Sequence, residues 1–163
     1  DFNELVAEID REGSENSLIN PKDGDGEYGL ALPEVTVEDI NGLLTGFIDL
    51  IFKHDGRYYV ADYKSNYIND RIGSYSDSEI KMNMVNHHYY IQYILYTLAL
   101  HRYLKCHKPD YDYDTDVGGI AYLYLRGMKS ADNGNAFRGY GIYGNRISSQ
   151  YIEKLDALFA GTR

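Results

Sequence analysis

The sequence predicts an α/β fold, a mixed β-sheet flanked by helices, and three observations carry that prediction. Two β-branched and aromatic runs meet at a tight-turn signal in LLTGFIDLIFKHDGRYYVADYK, residues 43–64. A helical apolar stripe then occupies most of residues 77–104, and GGIAYLYLRGM, residues 118–128, reads as a further strand.

Each element follows from its residues in turn. Phe2, Leu5, Val6 and Ile9 fall at helical spacing, so residues 1–10 read as the end of a helix. The opening DFNELVAEIDREG has no initiator Met, no basic region and no apolar run, so neither a secretory signal nor a natural start is expected. The expected object is an N-terminally truncated piece of a larger chain. Residues 13–29 are polar, with Asn20-Pro21 and DGDGE, and read as loop. Asp23, Asp25 and Glu27 lack the remaining positions of a calcium-binding loop, which favours a solvated segment.

Asp55-Gly56 between the two strand-like runs is a strong hairpin signal. Residues 66–78 carry Gly, Ser, Asn and Asp throughout and read as a loop beside the strand end. Ile80, Met84, His88, Ile91, Leu95 and Leu98 share one stripe, predicting a single long helix capped by Ser76, Asp77 or Ser78. Pro109 and DYDYDTD end it. Residues 127–144 read as loop with room for a short extended piece, and Ile152, Leu155, Leu158 and Phe159 predict a short amphipathic helix at the close.

With 163 residues, a single domain spanning 1–163 is expected. No apolar run approaches the ~18 residues of a spanning helix, so a soluble protein is expected. Cys106 is the only cysteine, which excludes an internal disulfide or a cysteine-based zinc cluster and agrees with a reducing cytoplasm. The net charge of −9 argues against a free-standing DNA-binding module, because phosphate contacts need clustered Lys and Arg. Bound metal would offset part of that charge, and a larger basic assembly would deliver DNA to a tethered domain. Eighteen tyrosines without a tryptophan read chiefly as half-buried packing, with stacking on single-stranded nucleic acid as the alternative.

The turn also fixes a register. With Asp55-Gly56 as the loop, His54 pairs with Arg57, and stepping outward brings Asp49 opposite Asp62. Facing like charges are destabilising and call for a counter-charge. Lys64, two residues beyond Asp62, lies on the same face. Three charged groups thus converge where hard oxygen ligands suit Mg²⁺ or Mn²⁺. The plainer alternative is a solvated hairpin face on which Lys64 neutralises two surface aspartates.

Longer strings decide between them. GFIDLIFKHDGRYYVADYKSN resembles the nuclease motif of the RecB-type subunits of exodeoxyribonuclease V, within the PD-(D/E)xK superfamily. The likeness continues through IQYILYTLALHRYL, with the superfamily's Q-x-x-x-Y feature as Gln92 and Tyr96, into DYDYDTDVGGIAYLYLRGM, and covers residues 42–128. It implies a restriction-endonuclease-like fold in which Asp49 is the first acidic position and Asp62 and Lys64 complete D-x-K. It further implies a metal held by Asp49, Asp62 and the backbone carbonyl of Tyr63. The family's additional ligand is a histidine on an N-terminal helix, and no histidine precedes His54 here. Truncation is the expected reason, with a weakened metal site as its consequence. His87 and His88 are expected to be core or DNA-facing residues. Gln92 and Tyr96, one turn apart on one helix face, are expected to support the active-site loop or contact the DNA backbone. Lys53, Arg57, Arg71, Lys81 and Arg126 are candidate phosphate contacts, although scattered solvation serves for each alone.

The activity implied is Mg²⁺-dependent hydrolysis of DNA phosphodiesters, with Mn²⁺ or Ca²⁺ as structural substitutes. The implied substrates are linear duplex ends and unwound single strands, and the setting is double-strand break repair and recombination beside RecC-like and RecD-like subunits. There is no P-loop, so ATP hydrolysis is not expected. A catalytically silent interaction or DNA-binding module is the alternative, which the intact D…D-x-K set disfavours. A relative of the iron–sulfur type would need four cysteines and is excluded by Cys106.

Overall fold

A computed structural model of the chain describes residues 4–5, 7–9, 46–69, 75–128 and 141–160. The expectations for Phe2, Val6, Arg71, residues 13–29 and most of the 127–144 loop lie outside the described residues. The first described residues, 4–5 and 7–9, are helical, and Leu5 and Ile9 are buried, as their spacing predicts.

Strands β1 (Leu50–His54) and β2 (Arg57–Lys64) form the expected hairpin. Asp55 and Gly56 both take positive φ, 46° and 84°, which matches the twist of the strands they join. The register runs from His54↔Arg57 to Leu50↔Ala61, as the turn dictates. It then stops one residue short of the expected Asp49–Asp62 pair, because Asp49 lies in a bend rather than in the ladder.

The long helix expected over residues 77–104 is two helices, α1 (Asp77–Asn86) and α2 (Tyr89–His107). The break is local: His87 donates its backbone N–H to Asn83 O and sets its ring Nδ1 3.0 Å from the same oxygen, and His88 turns left-handed at φ 54°. The helical ladder ends at His88, whose N–H turns back to Val85 O at 2.9 Å. The break also resets the phase. Ile80 and Met84 are buried on α1, but α2 buries Tyr90, Tyr93, Ile94, Thr97, Leu98, His101 and Leu104, while His88 is exposed and Ile91 and Leu95 are half-buried. Of the three candidate caps, Ser76 is the one used, and its N–H donates to Glu79 Oε2 at 3.3 Å.

A short helix, α3 (Tyr113–Asp116), interrupts the acidic segment, started by Asp112, whose side chain accepts Thr115 N–H at 2.9 Å. Strand β3 (Val117–Tyr124) then pairs parallel to β2, and β4 (Ile142–Asn145) pairs antiparallel to β3, giving one mixed sheet of order β1-β2-β3-β4. The β2–β3 register shifts between Tyr58 and Tyr59, which pair with Val117 and Gly119. Gly118 is the extra residue of that bulge, and a Cβ there would stand 2.1 Å from the Tyr59 ring. The final helix, α4 (Ser149–Ala160), buries Ile152 and Leu155 fully, whereas Leu158, expected on its apolar face, is exposed. Arg102 and Lys105 on α2 reach Asp156 on α4 at 2.6 and 3.1 Å.

The helices thus cover β2, β3 and β4 with a tyrosine-rich core, while all five residues of β1 remain exposed. No helix of the described residues is long and apolar enough to cross a membrane. This is the mixed sheet flanked by helices that the sequence predicts.

Candidate active site

Strand β2 carries the centre of the site. Its alternation buries Asp62 and Lys64 on one face, 4% and 8% exposed, and turns Tyr63 outward at 46%. Asp62 Oδ2 lies 2.5 Å from Lys64 Nζ, and that buried oxygen makes no well-directed hydrogen bond. Burial raises the Asp62 pKa; the adjacent Lys64 ammonium opposes the rise, and the charge of Asp49 adds to it. Asp49 is exposed and enters from the bend before β1, where its Oδ2 accepts Tyr63 N–H at 2.9 Å. The carboxylate therefore continues the hairpin where the backbone ladder stops.

Helix α2 supports this centre. Lys64 Nζ donates to Gln92 Oε1 at 2.9 Å, and Gln92 Nε2 donates to Tyr96 Oη at 2.9 Å. Tyr96 in turn donates to the carbonyl of Phe47, two residues before Asp49. Gly46 leaves room for this contact, since a Cβ there would meet Tyr96 Cε1 at 3.3 Å. One chain of hydrogen bonds thus runs from Lys64 to the segment that delivers Asp49. Gln92 and Tyr96 link the Lys64 ammonium to the Phe47 backbone.

Three side chains complete the surroundings, and the sequence reading did not single them out. Tyr122, paired with Asp62 across the parallel β2–β3 register, donates to Gln92 Oε1 at 3.1 Å. Tyr89 sits one helical turn before Gln92, and its ring centroid is 3.8 Å from Lys64 Nζ. Asn66 Nδ2 donates to the Tyr89 hydroxyl at 3.2 Å. The available signals were the i, i+3 spacing of Tyr89 and Gln92 and the inward phase of Tyr122 on its strand; neither names a partner.

The other candidates lie apart from this centre. His87 stacks on Tyr89 with centroids 5.3 Å apart, and His88 points its Nδ1 towards the Tyr90 hydroxyl at 3.4 Å. Among the described residues, no third His, Cys, Asp or Glu joins the two carboxylates. Lys53 lies over the Tyr58 ring, Arg57 and Lys81 are exposed, and Arg126 Nε donates to Ser65 O at 3.0 Å, bracing the loop after β2. The donors present nevertheless suit a small divalent ion. They are hard oxygens, one of them a buried carboxylate oxygen lacking a directed donor, and an ion of the Mg²⁺ type fills remaining positions with water.

Comparison with known proteins places the chain in one group. Residues 16–161 match the PD-(D/E)XK nuclease superfamily. The chain belongs to that superfamily. Within it, the chain is 43% identical to the RecBCD enzyme subunit RecB of Haemophilus influenzae over 122 residues, 75% of this chain and 10% of that protein. Identity to the Escherichia coli subunit of the same name is also 43%, over 129 residues, 79% of this chain and 10% of the relative. The corresponding Mycobacterium tuberculosis subunit is 36% identical over 95 residues, 58% of this chain and 9% of its own. The chain thus spans about a tenth of the length of the curated relatives it matches, and it is a RecB-nuclease-like member of the superfamily. Nucleases of this superfamily generally use divalent metal ions, and the mixed four-stranded sheet with flanking helices fits its fold.

Proposed function

We propose that the chain hydrolyses DNA phosphodiesters as the nuclease domain, residues 1–163, of a RecB-type helicase–nuclease. The observation that carries this reading is the buried Asp62–Lys64 pair on β2, tied through Gln92 and Tyr96 to the backbone that presents Asp49.

In this reading Asp49, Asp62 and the Tyr63 carbonyl hold a divalent ion, Mg²⁺ in function with Mn²⁺ or Ca²⁺ as stand-ins. When bound, such an ion lowers the pKa of a coordinated water and neutralises charge developing on phosphoryl oxygens. Lys64 places a fixed cation beside the reacting phosphate, orienting the attacking water and stabilising the transition state. Its neighbours act before the reaction does. Gln92 and the Tyr89 ring keep the ammonium in place, so no reorganisation is needed as charge moves. The substrates proposed are linear duplex ends and unwound single strands. A helicase in the intact protein and RecC-like and RecD-like subunits would supply them, in the cytoplasm, during double-strand break repair and recombination.

The test is cleavage of linear DNA in Mn²⁺ and Mg²⁺ by the full-length protein and its Asp62→Ala and Lys64→Ala variants. Each substitution is expected to lower the rate by at least about a hundredfold, the scale of removing a transition-state electrostatic contact. Activity unaffected by Asp62→Ala would overturn the assignment. A wild-type protein that binds DNA without cutting it would favour a silent nuclease-fold module.

A further inference from the structure

The Lys64 ammonium has three kinds of neighbour: an ion-paired carboxylate, an amide oxygen that accepts its N–H, and an aromatic face. Asp62 Oδ2 lies at 2.5 Å and Gln92 Oε1 at 2.9 Å. The third is aromatic. Nζ stands 3.8 Å from the Tyr89 ring centroid and 4.9 Å from that of Tyr122, and the two rings are 6.0 Å apart with planes inclined at 30°. With the side chain nearly buried, the ring faces act on an ammonium stripped of most of its water, where a cation–π contact is strongest.

Both rings are themselves held. The Tyr89 hydroxyl is clasped by the side-chain amide of Asn66, with Nδ2 donating at 3.2 Å and Oδ1 accepting at 3.3 Å, and the His87 ring stacks on Tyr89 at 17°. The single Tyr122 O–H is shared between Gln92 Oε1 at 3.1 Å and the backbone carbonyl of Tyr89 at 3.4 Å. Gln92 Oε1 therefore accepts from Lys64 and Tyr122 together, while its Nε2 is committed to Tyr96. The amide has one orientation available, with its oxygen towards the ammonium.

We propose that Tyr89 is a positioning residue for Lys64: its ring face, backed by Tyr122, holds the ammonium at the mouth of the Asp62 carboxylate by cation–π attraction. The inference rests on the nuclease reading of Lys64 given above. It adds a function for two tyrosines that belong to neither the D-x-K nor the Q-x-x-x-Y pattern. A cation held only by Asp62 would follow that carboxylate when an ion engages it, whereas one also seated on an aromatic face keeps its place. Tyr89 thus separates the position of Lys64 from the state of Asp62.

The experiment uses the full-length protein and reads kcat and KM on linear DNA, Mn²⁺ binding without DNA, and thermal melting. Tyr89→Leu is expected to lower kcat by about tenfold, as loss of a desolvated cation–π contact predicts, with KM and Mn²⁺ affinity changed by less than about threefold. Tyr89→Phe keeps the ring and is expected to recover most of that loss. Genetically encoded fluorinated phenylalanines at position 89 keep the shape while draining charge from the ring face. The logarithm of kcat is expected to fall stepwise with fluorine count, a trend that a packing role would not produce even if Tyr89→Leu melts early. Flat kcat across the fluorinated series, or equal losses in Tyr89→Phe and Tyr89→Leu, would overturn the proposal. Wild-type rates in Tyr89→Leu beside an inactive Lys64→Ala would also overturn it while leaving the nuclease reading intact. Full activity in Lys64→Ala would remove both.

Discussion

Gln92 shows how much of the site hangs on one side chain. Its oxygen receives Lys64 and Tyr122, and its nitrogen serves Tyr96. Removing it takes one acceptor each from Lys64 and Tyr122, and a lost hydrogen bond costs about 0.5–1.5 kcal/mol net, more for a charged donor. Gln92→Ala is therefore expected to lower stability by at least ~1 kcal/mol in urea unfolding and the cleavage rate by about ten- to a hundredfold, the range typical of partners that orient catalytic groups. An unchanged rate would show that Asp62 and the tyrosines alone fix Lys64. The i, i+4 spacing makes the shared face of Gln92 and Tyr96 legible in the sequence. Their partners, Lys64 and the Phe47 carbonyl, are not, because both contacts cross from helix to sheet.

Elements were legible where a local rule decides them. Asp55-Gly56 sets the hairpin and its register because both turn positions require positive φ. The end of that register was not legible. Asp49 leaves the ladder because its carboxylate takes the Tyr63 N–H itself, a competition that residue numbers do not record. The break between α1 and α2 escaped because apolar periodicity runs through residues 80–98 and the left-handed residue at the break is His88 rather than a Gly. The β2–β3 bulge was equally silent in the sequence, and it carries a prediction. Gly118→Ala drives a Cβ into the Tyr59 ring and is expected to destabilise the protein by about 1–3 kcal/mol in a thermal melt. Combining it with Tyr59→Ala should cost less than the sum of the two single changes. Strict additivity would mean that the bulge has moved.

Across the whole molecule, the parallel pairing of β2 with β3 brings Tyr122 beside Asp62, and no turn encodes it because α1, α2 and α3 lie between. On α2, His101 is buried facing Tyr111, Tyr113 and, on α4, Asp156. Its Nδ1 lies 2.9 Å from the Tyr111 hydroxyl, and its Nε2 is 3.7 Å from Asp156 Oδ2 without a directed hydrogen bond. Burial lowers its pKa from the ordinary 6.5, against the pull of Asp156. A depressed value means that the unfolded chain takes up the proton first as pH falls. The stability contributed by neutral His101 is then complete above about pH 6.5 and lost as pH drops below it through the folded value. Melting temperature is expected to fall across that window and to fall less in His101→Gln. Parallel curves would place the acid sensitivity elsewhere.

The two carboxylates of the site are unequally protected. Among the described residues, Asp62 belongs to a strand flanked on both sides, whereas Asp49 precedes the rim strand β1, which pairs with β2 alone and has all five residues exposed. Fraying of that rim would separate the carboxylates while the rest of the protein stays folded, so that, on the proposed nuclease reading, a local event far cheaper than denaturation would disarm the site. The Tyr63 amide, held by the Asp49 side chain, is the natural reporter: its hydrogen should exchange for deuterium sooner than those of Asp62 and Lys64, and equal rates would mean that rim and interior open together.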